Sequence, residues 1–168
     1  MKRRHILLIV FLFAAFNLSA SNLSTLKQIS AMLNPVECSV TDIATAAEGA
    51  SSIAKKTMEI SDQLNTLKAQ AESYSNNGRT RVFEKLQMLQ TAQQLLKNAK
   101  SQTISVSKLL SSTRKFSPLI NALKEPAKKL AAKKSAEYCT KLLGLCNAET
   151  RSQINTATQI LKILKASR

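Results

Sequence analysis

Residues 39–74 read SVTDIATAAEGASSIAKKTMEISDQLNTLKAQAESY, with no proline and one glycine. Within them Ile43, Ala47, Ala50, Ala54, Thr57, Ile60, Leu64, Leu67, Ala71 and Tyr74 succeed one another in steps of three and four. That spacing puts all ten on one face of an α-helix and resembles the seam of a coiled coil. Ser39 and Asp42 have the spacing of a capping box, so a helix over 40–74 is expected, about 50 Å long at about 1.5 Å per residue. Its early part is rich in small residues, from Ala44 through Gly49 to Ala54. A thin helix of this kind accepts a close neighbour. That neighbour is either another helix of the same chain or a second subunit.

Ser75-Asn76-Asn77-Gly78 follows with residues that tolerate the backbone ending a helix, so the chain is expected to reverse there. A second long helix is expected over 80–113, with a seam of Val82, Leu86, Leu89, Leu96, Ala99, Val106 and Leu110 interrupted by Gln93 and Thr103. Two helices of matched length and a short connector fold most simply as an antiparallel hairpin. Phe83, Ala92, Leu95, Ile104 and Leu109 widen the second stripe beyond what one partner can cover, so further helices must pack on it.

The rest of the chain supplies them. Residues 22–33 carry Leu23, Leu26, Ile29 and Leu33 on one side, a short amphipathic helix ending before Pro35. Ser117-Pro118 is a cap followed by a proline suited to the first helical position, opening a basic helical segment over 118–143 that restarts at Pro126. Gly144 is expected to end it, and Asn147 to cap a last helix over 148–166 with Ile154, Ala157, Leu161 and Leu164 on one face. No sustained alternation of period two occurs, so the fold class is all-α: an elongated helical bundle built on a long antiparallel hairpin.

The first twenty residues read differently. Lys2, Arg3 and Arg4 precede an apolar run from Ile6 to Phe16, and Leu18-Ser19-Ala20 is a small-residue exit. This is the pattern of a secretory signal peptide, with an apolar run too short for a bilayer span of roughly 20 residues. Removal after Ala20 leaves residues 21–168 as one helical domain with no stable membrane span, secreted or periplasmic. The only histidine, His5, goes with the leader, and 22 Lys plus Arg remain against 10 Asp plus Glu, a formal charge of +12.

A chain without histidine has few routes to chemistry. Cys38, Cys139 and Cys146 lack an imidazole to deprotonate a thiol and a fourth ligand for zinc, so neither a catalytic cysteine nor a metal site is expected. Glu59 and Asp62 share a helix face, but Lys55 and Lys56 one turn earlier make surface ion pairs the simpler reading. No glycine-rich phosphate loop or nucleophile motif occurs. An enzyme, a cofactor and a small-molecule substrate are therefore not expected. For the thiols, a left-handed cap at Gly144 would turn the chain back and favour a Cys139 to Cys146 disulfide, with Cys38 free or intermolecular. A bridge from Cys38 to either of the others, and three free thiols, are the alternatives.

Charge is distributed unevenly. Residues 21–78 hold four cations and six carboxylates, whereas residues 79–168 hold 18 and four. The densest cluster is Lys124, Lys128, Lys129, Lys133, Lys134 and Lys141. Two roles are consistent with this pattern. One is an exported, non-enzymatic scaffold or assembly protein with a protein partner or further copies of itself, as in surface or secretion structures. The other is a cationic protein that binds anionic membranes, glycans or other polyanions through residues 79–168.

Overall fold

The computed structural model describes residues 24–76 and 82–166. The leader at 1–20, the start of the first helix, the turn at Asn77-Gly78 and the expected helix start at Thr80 lie outside them. Helix α1 covers residues 24–30, α2 Thr41–Asn76, α3 Val82–Ser112, α4 Phe116–Asn121 and α5 Pro126–Ala166. A 3-10 turn over Thr113–Lys115 joins α3 to α4. There is no strand among the described residues, and the protein is an all-α bundle.

Helix α2 forms as its spacing requires. Nine of the ten seam positions, Ile43 through Ala71, are buried, and Tyr74 is half-buried. Its start differs from the expectation by one position: Val40 O accepts from Ile43 N at 3.0 Å and from Ala44 N at 2.9 Å, so Val40 rather than Ser39 stands at the cap.

Helix α3 buries only part of the wide stripe expected of it. Ala92, Leu95, Ala99, Gln102 and Val106 are buried, while Val82 and Leu86 are exposed and Leu89, Leu96 and Leu110 only half-buried. The true stripe keeps regular steps of four and three by accepting the polar Gln102 at a core position.

The helices run up, down, up. Cys139 Sγ meets Ala46 O at 3.5 Å near the start of α2, and Ser61 Oγ meets Glu149 Oε1 at 2.6 Å halfway along. Ile160 and Leu164 share a cluster with Leu64 and Leu67 near its end. So α5 is parallel to α2, and α3 is antiparallel to both.

Helix α5 meets each of α2 and α3 over a larger interface than those two share, so it, and not an α2–α3 hairpin, organises the bundle. At 41 residues it is about 61 Å long.

The expected break at Gly144 is absent. Ala132, Ser135, Cys139, Leu142, Cys146, Glu149, Gln153, Ala157, Ile160 and Leu164 form one buried row in steps of three and four that passes Gly144 without interruption. Burial on both sides of the glycine outweighs its helix penalty of about 1 kcal/mol. Gly144 itself faces outward, with nothing within 4 Å of where a Cβ would stand.

The helix around Pro118 also starts earlier than expected: Phe116 opens α4 and is buried, and Ser117 lies inside the helix rather than capping it. Phe116, α1 with buried Ile29, and the segment over 31–40 close one end of the bundle. Tyr138 Oη donates to Met32 O at 2.8 Å, and Ser51 Oγ donates to Leu33 O, fastening that segment across the helices.

Candidate functional site

The continuity of α5 decides the fate of the cysteines. All three are free. On an unbroken helix Cys139 and Cys146 are two turns apart, about 10 Å, beyond the roughly 7 Å between α-carbons that a disulfide can span. The expected Cys139 to Cys146 bridge is therefore not formed. Burial pushes both thiols up to about 11, so they stay protonated at neutral pH; for Cys146 the nearby Glu149 adds to the rise and a hydrogen bond with Thr57 opposes it. Cys38 is half-buried, with its Sγ 3.6 Å from Val40 O.

Between the two apolar clusters of the bundle lies a layer of polar side chains drawn from all three long helices, which the sequence reading did not identify. Gln153 Nε2 donates to Thr57 O at 2.6 Å and to Ser61 Oγ at 2.8 Å, and Ser61 Oγ donates to Glu149 Oε1 at 2.6 Å. From the other side Gln102 Nε2 donates to Ile53 O at 2.8 Å and reaches Thr57 Oγ1 at 3.4 Å. The network ties α2 to both α3 and α5, and it leaves Gln153 Oε1 without a partner.

Glu149 is the unusual member. It is 4 % exposed, Oε2 has no hydrogen-bond partner, and among the described residues no cation pairs with it. Burial raises its carboxyl above the ordinary carboxylate value, with the Ser61 hydrogen bond pulling the other way. A signal for this layer exists in the sequence: Thr57, Gln102, Glu149 and Gln153 all occupy stripe positions at helical spacing, but nothing local says that they find one another.

The cationic cluster is exposed throughout. Lys124, Lys128, Lys129, Lys133, Lys134 and Lys141 all reach solvent, and Lys128 Nζ is bound to Glu125 Oε1 at 2.7 Å. Pro126 through Leu130, the opening of α5, have no residue buried, and Leu130 is 55 % exposed among the lysines. Helix α5 has no acidic residue inside its first turn; Glu125 stands at its N-cap, its carbonyl accepting from Lys129 N at 3.0 Å and its carboxylate paired with Lys128.

At the opposite end α2 and α3 meet through Leu67, Ala71, Ala92 and Leu95. An open cleft of about 1640 Å³ runs between them, walled by Asp62, Thr66, Gln70, Glu84, Gln87 and Thr91 among others, with Leu67, Tyr74 and Met88 also lining it. Ligand pockets for small molecules are typically about 300–1,000 Å³ and enclosing. This cleft is larger and open, a shape for a chain segment or helix.

Val82, Phe83 and Leu86 are 71 %, 71 % and 51 % exposed at the start of α3, where helical spacing turns Val82 and Leu86 away from the cleft-lining Glu84, Gln87, Met88 and Thr91. They are part of the seam and its widening that sequence spacing assigned to the interior. Among the described residues, no helix is long and apolar enough to cross a membrane, and no cluster of His, Cys, Asp or Glu could hold a metal ion. No family model, curated protein or solved structure matches this chain.

Proposed function

We propose that this protein is an exported helical assembly or scaffold protein that acts by docking another protein at the end of the bundle where α3 begins. One observation carries the reading: Val82, Phe83 and Leu86 are large, apolar and exposed together at the start of α3. Isolated exposed apolar residues are ordinary, but a group of large ones on one stretch of helix marks an interaction surface. The export part of the reading rests on the leader pattern of residues 1–20.

Site-specific cross-linking in the native compartment tests the proposal. A photoreactive residue at position 83 is expected to give discrete protein adducts, one at exposed Gln159 on the far part of α5 to give none, and Leu86→Ser to reduce the adducts formed at 83. Equal adducts at both positions, or none at 83, would overturn it.

A second reading, polyanion binding, is favoured by the solvent-exposed lysines at the start of α5. Its mark is steep weakening with salt and on neutralising Lys129, Lys133 and Lys134. Insensitivity to both removes it.

A further inference from the structure

We infer that the polar layer in the middle of the bundle is a proton-operated latch: Glu149 is carried in the folded core as the neutral acid, its Oε2 hydroxyl donating to Gln153 Oε1, and loss of that proton releases α5 from α2 beside Cys146.

The donors of the layer are all spent. Gln153 Nε2 gives its two hydrogens to Thr57 O and Ser61 Oγ, and Ser61 gives its one to Glu149 Oε1. Thr57 Oγ1 donates to Ile53 O at 2.9 Å, Thr150 Oγ1 to Asn147 O at 3.1 Å, and Gln102 Nε2 to Ile53 O and Thr57 Oγ1. Two acceptors are left over, Glu149 Oε2 and Gln153 Oε1, both buried without a partner. A buried acceptor with no donor is costly, and a buried charge with no counter-ion more so.

Turning the Gln153 amide over does not help, because it would aim Oε1 at Thr57 O, another acceptor. A proton on Glu149 Oε2 does. The acid becomes a donor, one bond serves both leftover oxygens, and the charge is gone. The two side chains are placed for this bond: they stand one turn apart on the same face of α5, and Glu149 Oε1 and Gln153 Nε2 lie 2.6 and 2.8 Å from the same Ser61 Oγ.

Nothing around Glu149 compensates an ionised carboxylate. Helix α2 faces it with Ser61 and Thr57, and α3 brings Gln102 to the layer, none of them charged. Its titratable neighbour is Cys146, one turn earlier on α5, whose thiol stays protonated at neutral pH. Lys56, Glu59 and Asp62 on α2, Lys97 and Lys100 on α3 and Arg151 on α5 are exposed. Burial, which raises the Glu149 carboxyl, acts in the same direction as the missing donor. Ionisation sets two bare oxygens against each other and leaves a charge in the core, so the α2–α5 seam opens there and the buried Cys146 becomes reachable.

Three measurements test the latch. In carbon-13 NMR, the carboxyl resonance missing from Glu149→Gln is expected to report a neutral acid one pH unit above the ordinary glutamate value of about 4.3. A carboxylate at that pH, its oxygens served by a bound water, would overturn the inference. In urea titrations of a double-mutant cycle, Glu149→Ala with Gln153→Ala, the pair is expected to favour folding by roughly 10-fold below the titration of Glu149 and to lose that coupling above it. Coupling that is absent or indifferent to pH would overturn the bond to Gln153.

The third measurement needs no cavity, since Glu149→Gln keeps a donor toward Gln153 and cannot ionise. Reaction of Cys146 with a pyridyl disulfide, followed by mass spectrometry, is expected to be alike in wild type and Glu149→Gln in acid. Above the titration the wild type is expected to react faster by roughly 10-fold per pH unit, a ratio in which the thiol's own ionisation cancels. Equal rates at every pH would show that the layer does not open.

Discussion

The two ends of the bundle are built from different residues, and their shapes follow. At the closed end α2 contributes Ala46, Ala47, Ala50 and Ala54, and Leu142, Leu143, Ile29 and Phe116 from neighbouring elements fill the space against it. The helices are close there: a Cβ on Gly49 would stand 3.2 Å from Leu109 Cδ2 on α3. At the open end α2 contributes Ile60, Leu64 and Leu67, which meet Leu95, Ile160 and Leu164, and the outer faces of α2 and α3 part into a cleft.

Small residues let backbones approach and leave little surface uncovered. Large ones interlock on the α5 side while the outer side of α2 and α3, polar and glutamine-rich, forms an open groove. The small-residue run of α2 is covered by the protein's own helices, so the free surface is at the other end.

The largest test of this contrast removes a large side chain from each end. Leu142→Ala and Leu64→Ala are each expected to lower unfolding free energy by about 2–5 kcal/mol in urea titrations. A loss well under this range would mean that the site collapses around the cavity.

Adding volume separates the ends more sharply. Ala47→Leu, at a fully buried position of the thin face, is expected to destabilise by about 1–3 kcal/mol, whereas Ala69→Leu, exposed on the cleft wall, stays within about 0.5 kcal/mol of wild type. Equal effects would contradict the close packing at the closed end.

Glu149, at the boundary between the two regions, links them to pH. Its carboxyl is raised in the folded protein, so between the ordinary carboxylate value and the raised one the folded state binds more protons than the unfolded. The stability it contributes is complete in acid and is lost as pH rises through the folded value. Glu149→Gln keeps the shape and cannot ionise. It is expected to flatten the fall in the urea midpoint between mildly acid and mildly alkaline pH, and an unchanged slope would show that another group controls it.

The smallest effects come from the glycines. Gly144→Ala has open space and is expected to stabilise by about 0.5–1 kcal/mol. Gly49→Ala has the same helical advantage but presses on Leu109, so its gain is expected to be smaller or reversed, as differential unfolding would show.

Much of the fold was legible in residue order. The α2 stripe was readable almost to the residue because every position in it is apolar, small or Thr. On α3 the expected Ala92, Leu95, Ala99 and Val106 are buried, but Gln102 holds a core position that hydropathy alone rejects, and Val82 and Leu86 at the start of the expected seam are left exposed. On α5 the glycine at 144 was read as a stop although the row of core positions continues through it. Local chemistry was allowed to override a longer periodicity, and the helix break and the disulfide expectation failed together for that reason. The lysine cluster was legible as charge, but its position at the closed end of the bundle was not.

Sequence by itself determined that this chain is helical, which face of α2 is buried, and that the basic charge lies after residue 78, because each of these depends on neighbours within a few turns. Tertiary structure alone decided that α5 is the organising helix, that Ser61, Gln102, Glu149 and Gln153 form one layer, and that Val82, Phe83 and Leu86 are left outside. Those outcomes depend on groups 40 to 100 residues apart competing for one core. No local pattern records who wins that competition.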